Sequence, residues 1–152
     1  MRLRALLILA PFLFCWMSAC AQNGSVDAAK FQARMKEPSA QLVDVRTPEE
    51  FAKGHIAGAV NIDWLEEGFL DRANAIDKKR PVLLYCAAGG RSEEAVSAMI
   101  AAGYIDVVDL ANGFNGWKRS NLPVAPSDAD IPPFLLARCG VHSLRPATTR
   151  LL

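Results

Sequence analysis

The chain has 152 residues, 51% of them hydrophobic, with 17 basic and 16 acidic side chains and a formal net charge of +1. Arg2 and Arg4 are the only charges before Cys20, so from there onward 15 basic residues face 16 acidic ones. That balance gives no electrostatic footprint for a nucleic-acid partner, and the length suits one compact domain.

The first 21 residues read as a targeting segment. MRLR is a basic n-region and ALLILAPFLFCWM an apolar h-region. The run is interrupted by Pro11 and falls short of the roughly 20 apolar residues that a membrane span needs. MSAC, ending at Cys20, resembles a bacterial lipobox, whose cysteine is lipidated and becomes the mature N-terminus. Ala21 after it, by the same resemblance, favours the outer membrane. Ala19-Cys20-Ala21 also fits A-x-A cleavage, which releases a soluble periplasmic protein beginning at Gln22. Both routes place the domain on the periplasmic side of a bacterial cell envelope.

Residues 22–126 carry the elements of a fold. Ser25 or Asp27 can cap a helix through DAAKFQARMK, with Phe31 and Met35 on one face. LVDV, from Leu42 to Val45, has the look of a buried strand. Thr47 then caps a short helix, with Pro48 at its first position and Glu50 closing a capping box. Gly54 and Gly58 punctuate a turn before the strand AVNI, and a helix fits somewhere between Trp64 and Ile76. VLLY, from Val82 to Tyr85, is the clearest strand. Ser92 is expected to cap the next helix, with Val96, Met99 and Ile100 on its apolar face and Gly103 as its stop. DVVDL gives a further strand and GFNGWKRS a short final helix. Strands alternating with helices through short connections predict an α/β fold, mainly parallel, with helices on both faces of the sheet. Residues 127–152 have no clear periodicity and read as a disordered tail.

Export simplifies the cysteines. Cys15 leaves with the leader and Cys20 is lipidated or removed, so Cys86 and Cys139 remain. A structural disulfide between them is the plain reading. The stretch YCAAGGRSEEA argues for chemistry instead. Cys86 ends a central strand, where open α/β sheets place their ligands. Gly89 and Gly90 let the following loop turn successive N–H groups inward as an anion-binding nest, and the helix behind it adds its positive end. Both favour a thiolate at Cys86. Arg91 contributes a positive charge. Glu93 and Glu94, expected to face solvent, offset part of this effect.

DVRTPEEFAKGHIAGAVNI, from Asp44 to Ile62, closely resembles the D-x-R-x-x-x-E-[FY]-x-x-G-H-I-x-G-A-x-N-I signature of the rhodanese family. VLLYCAAGGRS and NGFNGWKRSNLPV resemble that family's active-site and closing segments, and together the three cover about Val26 to Ala125. The resemblance implies a sulfurtransferase in which Cys86 is the nucleophile. It takes sulfur from thiosulfate or a persulfide and passes it to a thiol or cyanide, with no metal or organic cofactor. The loop from Ala87 and Ala88 through Gly89, Gly90 and Arg91 to Ser92 would bind the transferred sulfur and the leaving anion. The six residues from Cys86 to Arg91 match sulfurtransferases of this fold rather than the seven-residue loops of related phosphatases. Ala87 and Ala88 are small and uncharged, which leaves Arg91 alone to offset a dianionic donor. A larger or less charged donor, or a protein partner, suits such a loop.

Asp44 and Arg46 are expected to support the loop, with Arg46 pairing with Glu50. His55 is structural by the same resemblance, and Trp64, Phe114 and Trp117 read as packing residues. Cys139 and His142 are too few for a metal site, although Cys139 could resolve a persulfide on Cys86. Two other functions stay open. One is a rhodanese-fold binding module without turnover; the other is a redox protein exchanging Cys86 and Cys139 between dithiol and disulfide.

Overall fold

The computed structural model describes residues 23–125. The leader, Cys20, the tail and its Cys139 and His142 lie outside the described residues. In chain order the elements are β1 (Gly24–Val26), α1 (Ala28–Arg34), β2 (Gln41–Asp44), α2 (Pro48–Ala52), β3 (Val60–Asn61), α3 (Phe69–Ala73), β4 (Val82–Tyr85), α4 (Gly90–Ala101), β5 (Val107–Leu110) and α5 (Gly113–Arg119). The five strands form one parallel sheet in the order β1-β5-β4-β2-β3. This is the rhodanese-like α/β architecture that the sequence predicts.

Strand periodicity decides which way the site faces. Successive strand residues point to opposite sides of the sheet. Val82, Leu84 and Cys86 enter one core layer, against Ala95, Val96 and Met99 of α4 and Phe69 and Ala73 of α3. Leu83 and Tyr85 enter the other, with Phe31 of α1 and Phe114 and Trp117 of α5. Leu83 and Leu84 have no exposed surface, and burial of each stabilises the fold by about 1.5–3 kcal/mol. The cysteine therefore emerges from a rigid strand and faces α4. Trp117 and Phe114 pack as expected, and Phe31 meets Trp117 edge to face at 6.3 Å.

Several local expectations shift. β1 has too few residues and too little apolar character to stand out in the sequence; it forms by pairing along β5. Ser25 lies in that strand, and Asp27 alone caps α1, accepting from the Lys30 N–H at 2.8 Å. The strand within AVNI shortens to β3, and the helix between Trp64 and Ile76 to the five residues of α3. On α4, Val96 and Met99 are buried, but Ile100 is turned outward and exposed. The capping box of Thr47 and Glu50 forms as read, with Pro48 at the helix start.

Candidate active site

Cys86 follows β4 directly and is 2% exposed. Its Sγ accepts the Gly89 N–H at 3.1 Å and lies 3.6 Å from the Ser92 hydroxyl. Burial pushes the thiol pKa up, but the Ser92 hydroxyl and the N–H groups of Ser92, Gly89 and Ala88 outweigh it and hold the pKa below its ordinary value.

The loop is shaped by its glycines and by α5. Gly89 has φ of 114°, a conformation that side-chain-bearing residues rarely adopt, and it caps α4. Helix α4 therefore begins at Gly90, and Ser92 is not the cap. Ser92 stands in the first turn, where its Oγ donates to the Gly89 carbonyl at 2.9 Å while facing the sulfur. The Phe114 and Asn115 N–H groups donate to the Cys86 and Ala87 carbonyls at 2.8 and 3.0 Å. The first turn of α5 thus draws the loop carbonyls away, which leaves the loop N–H groups for the sulfur. Gly113 permits the approach: a Cβ there would collide with the Cys86 carbonyl oxygen and lie 2.8 Å from Ala87 C and Ala88 N.

Residues 27–120 match the family described as the rhodanese-like domain. The chain belongs to the rhodanese family. A thiosulfate sulfurtransferase GlpE of Pseudomonas aeruginosa is 38% identical over 100 residues, covering 65% of this chain and 88% of that protein. Chloroplastic thiosulfate sulfurtransferase 16 of Arabidopsis thaliana is 33% identical over 93 residues, or 55% of this chain and 78% of that one. Among solved structures, a rhodanese-like domain from Anabaena sp. superposes with a TM-score of 0.62 at 28% identity, covering 72% of this chain and 83% of its own. A rhodanese-like domain protein from Staphylococcus aureus gives a TM-score of 0.55 at 33% identity, covering 62% and 90% respectively.

Two ion pairs flank the rhodanese loop, and neither is the expected Arg46–Glu50 pair. Asp44 ends β2 opposite Tyr85, so the buried Arg46 lies beside the root of the loop. Its Nε donates to both Asp44 carboxylate oxygens at 3.0 Å, and Nη2 donates to Oδ2 at 2.6 Å and to the Gly54 carbonyl at 2.9 Å. The guanidinium also lies over the Phe114 ring, 4.2 Å from its centroid. Arg46 is thus a brace between β2, the Gly54 turn and α5. Glu50 reaches Arg91 instead, with Nη1–Oε2 at 2.8 Å and Nη2–Oε1 at 3.0 Å. This pair holds the Glu50 carboxyl below its ordinary range and raises the Arg91 pKa, to which the Cys86 sulfur adds a smaller contribution. The partner differs because α2 projects toward the loop, where the bidentate geometry is available.

The other singled-out residues fall into place. Ala87 is half-buried, and Ala88 and Gly90 are exposed, so the loop rim carries little side-chain bulk. His55 stacks on Phe51 at 3.8 Å, with Nδ1 lying 3.2 Å from the Phe51 carbonyl oxygen, a structural placement. Glu94 is exposed yet tethered, accepting the Trp64 indole N–H at 3.0 Å.

Sequence reasoning missed Asp109 on β5. It is 2% exposed, and its Oδ2 lies 3.4 Å from the Ser92 hydroxyl and 3.5 Å from that of Ser25. Burial, partly offset by these hydroxyls, raises its pKa. A carboxylate inside an otherwise apolar strand run was the signal available.

Proposed function

We propose that this protein is a sulfurtransferase carrying a sulfane sulfur on Cys86. The Cys86 thiolate attacks the outer sulfur of thiosulfate or of a persulfide donor. A new S–S bond forms, the donor S–S bond breaks, and sulfite or a thiolate leaves with the electron pair. An acceptor thiolate, or cyanide, then attacks the outer sulfur of the Cys86 persulfide and restores the thiolate. The sulfur moves with no net oxidation or reduction.

The observation that carries this reading is the seat of the Cys86 sulfur. A buried thiol with a lowered pKa at a strand end, beneath the Gly89 N–H and the start of the twelve-residue α4, is a nucleophile held ready to attack. That arrangement favours an enzyme over a binding module, which would not need the thiol. The relatives named thiosulfate sulfurtransferases support the same chemistry.

The test is thiocyanate formation from thiosulfate and cyanide by the full chain, with Cys86→Ser as control. Thiosulfate alone should add about 32 Da, one sulfur atom, to the wild-type protein and nothing to the variant. If the folded, reduced wild-type protein gains no sulfur from thiosulfate or from a persulfide donor, the sulfurtransferase reading is lost. We also propose that lipid on Cys20 tethers the domain on the periplasmic face of the outer membrane, where it serves an exported thiol acceptor. Metabolic labelling with a fatty acid that is abolished by Cys20→Ala would test the tether.

A further inference from the structure

Both guanidiniums beside the loop are already paired. Arg46 is held by Asp44, and Arg91 is clasped through both of its terminal nitrogens by Glu50. Of the acidic side chains nearby, Glu93 is exposed on the first turn of α4 and Asp109 is buried behind Ser92, while the Lys118 ammonium lies over the Phe114 ring, 5.0 Å from its centroid. The attraction for an anion at Cys86 therefore comes mainly from N–H groups and the end of α4. These can hold one developing negative charge but are a weak match for two. Ala87 and Ala88 add no charge at the rim.

We propose that Glu50 is a specificity-determining residue that sets the site for sulfur donors carrying a single negative charge, in preference to dianionic thiosulfate. The inference rests on the sulfurtransferase reading above and concerns only its donor. Glu50 clasps Arg91, the residue that ends the six-residue loop begun by Cys86, so the guanidinium's positive charge is already countered there. A doubly charged donor gains less from the paired Arg91 and is repelled by the Glu50 carboxylate. A singly charged donor meets about half of that repulsion.

Methanethiosulfonate and thiosulfate form a suitable pair of probes. Both present a terminal sulfane sulfur, and they differ by one charge. Attack by Cys86 releases methanesulfinate from the first and sulfite from the second, leaving the same persulfide. In the wild-type protein kcat/KM should be higher for methanethiosulfonate. Glu50→Gln should raise thiosulfate kcat/KM about fivefold more than that of methanethiosulfonate, an advantage that shrinks as salt is added. Glutamine can still close the capping box with Thr47, so α2 keeps its start. A donor ratio unchanged by E50Q, with both activities moving together, would make Glu50 merely structural and overturn the proposal. So would a wild-type preference for thiosulfate, a result that requires no variant to fold. If no persulfide forms on Cys86 from either donor, it is the sulfurtransferase reading that has failed.

Discussion

The Ser92 hydroxyl stands between Cys86 and Asp109, 3.6 Å from the sulfur and 3.4 Å from the carboxylate. It links a thiol whose pKa is lowered to a buried acid whose pKa is raised. The hydroxyl has one proton to give, and the Gly89 carbonyl, at 2.9 Å, competes for it. The charge state of Asp109 therefore bears on how well Ser92 serves the sulfur.

Alkylation of Cys86 by iodoacetamide should follow a pH profile with its midpoint below the roughly 8.5 of a free thiol. Ser92→Ala should move that midpoint upward and slow alkylation at pH 7 by about three- to tenfold, the value of one hydrogen bond. An unmoved midpoint would remove Ser92 from the stabilisation of the thiolate.

Asp109 should leave its mark on stability. Its folded-state pKa is raised, so above the ordinary carboxylate range the native protein holds a proton that the unfolded chain has lost. Its contribution to stability falls as pH rises from that range through the raised pKa. Asp109→Asn keeps a neutral side chain and should abolish this part of the fall. Urea midpoints at pH 4 and pH 7 would show the variant gaining on the wild type at the higher pH.

Gly113→Ala should damage the loop directly. The residue has φ of 52°, and the new Cβ would overlap the backbone that carries the sulfur. A stability loss of about 1–3 kcal/mol is expected, with a fall in sulfur transfer among molecules that remain folded. Circular dichroism melts and active-site titration separate the two effects.

Breaking the inner ion pair should cost stability rather than chemistry. Asp44→Asn leaves the Arg46 guanidinium, 4% exposed, without its counter-charge, a change typically worth about 3–5 kcal/mol. Urea unfolding measures the loss. Persulfide formation per folded molecule should survive, because Arg46 braces the loop from behind and none of its hydrogen bonds goes to the sulfur.

Elements specified by neighbouring residues were legible in the sequence. β4 reads directly from its apolar run, and the Thr47–Glu50 box from spacing alone. Cys86 and its glycine-rich loop were legible for the same reason. What escaped depends on which segments the sheet brings together. β1 exists only because β5 offers an edge. Glu50 finds Arg91, 41 residues further on, because α2 projects toward the loop. Ser92 was misread as a cap because the left-handed turn at Gly89 starts the helix earlier. Asp109 carries no local pattern; its importance lies in the Ser92 hydroxyl that β5 and α4 place beside it.

The seam between the loop and α5 also governs when reactivity appears. The Cys86 and Ala87 carbonyls are each claimed by the residue 28 positions later, Phe114 and Asn115, in the last helix described. Until that helix docks, neither carbonyl has its N–H partner, and the loop lacks the seam that turns its carbonyls away from the sulfur. The seat of the Cys86 sulfur is thus joined to a segment far along the chain, and it is complete only with α5 in place.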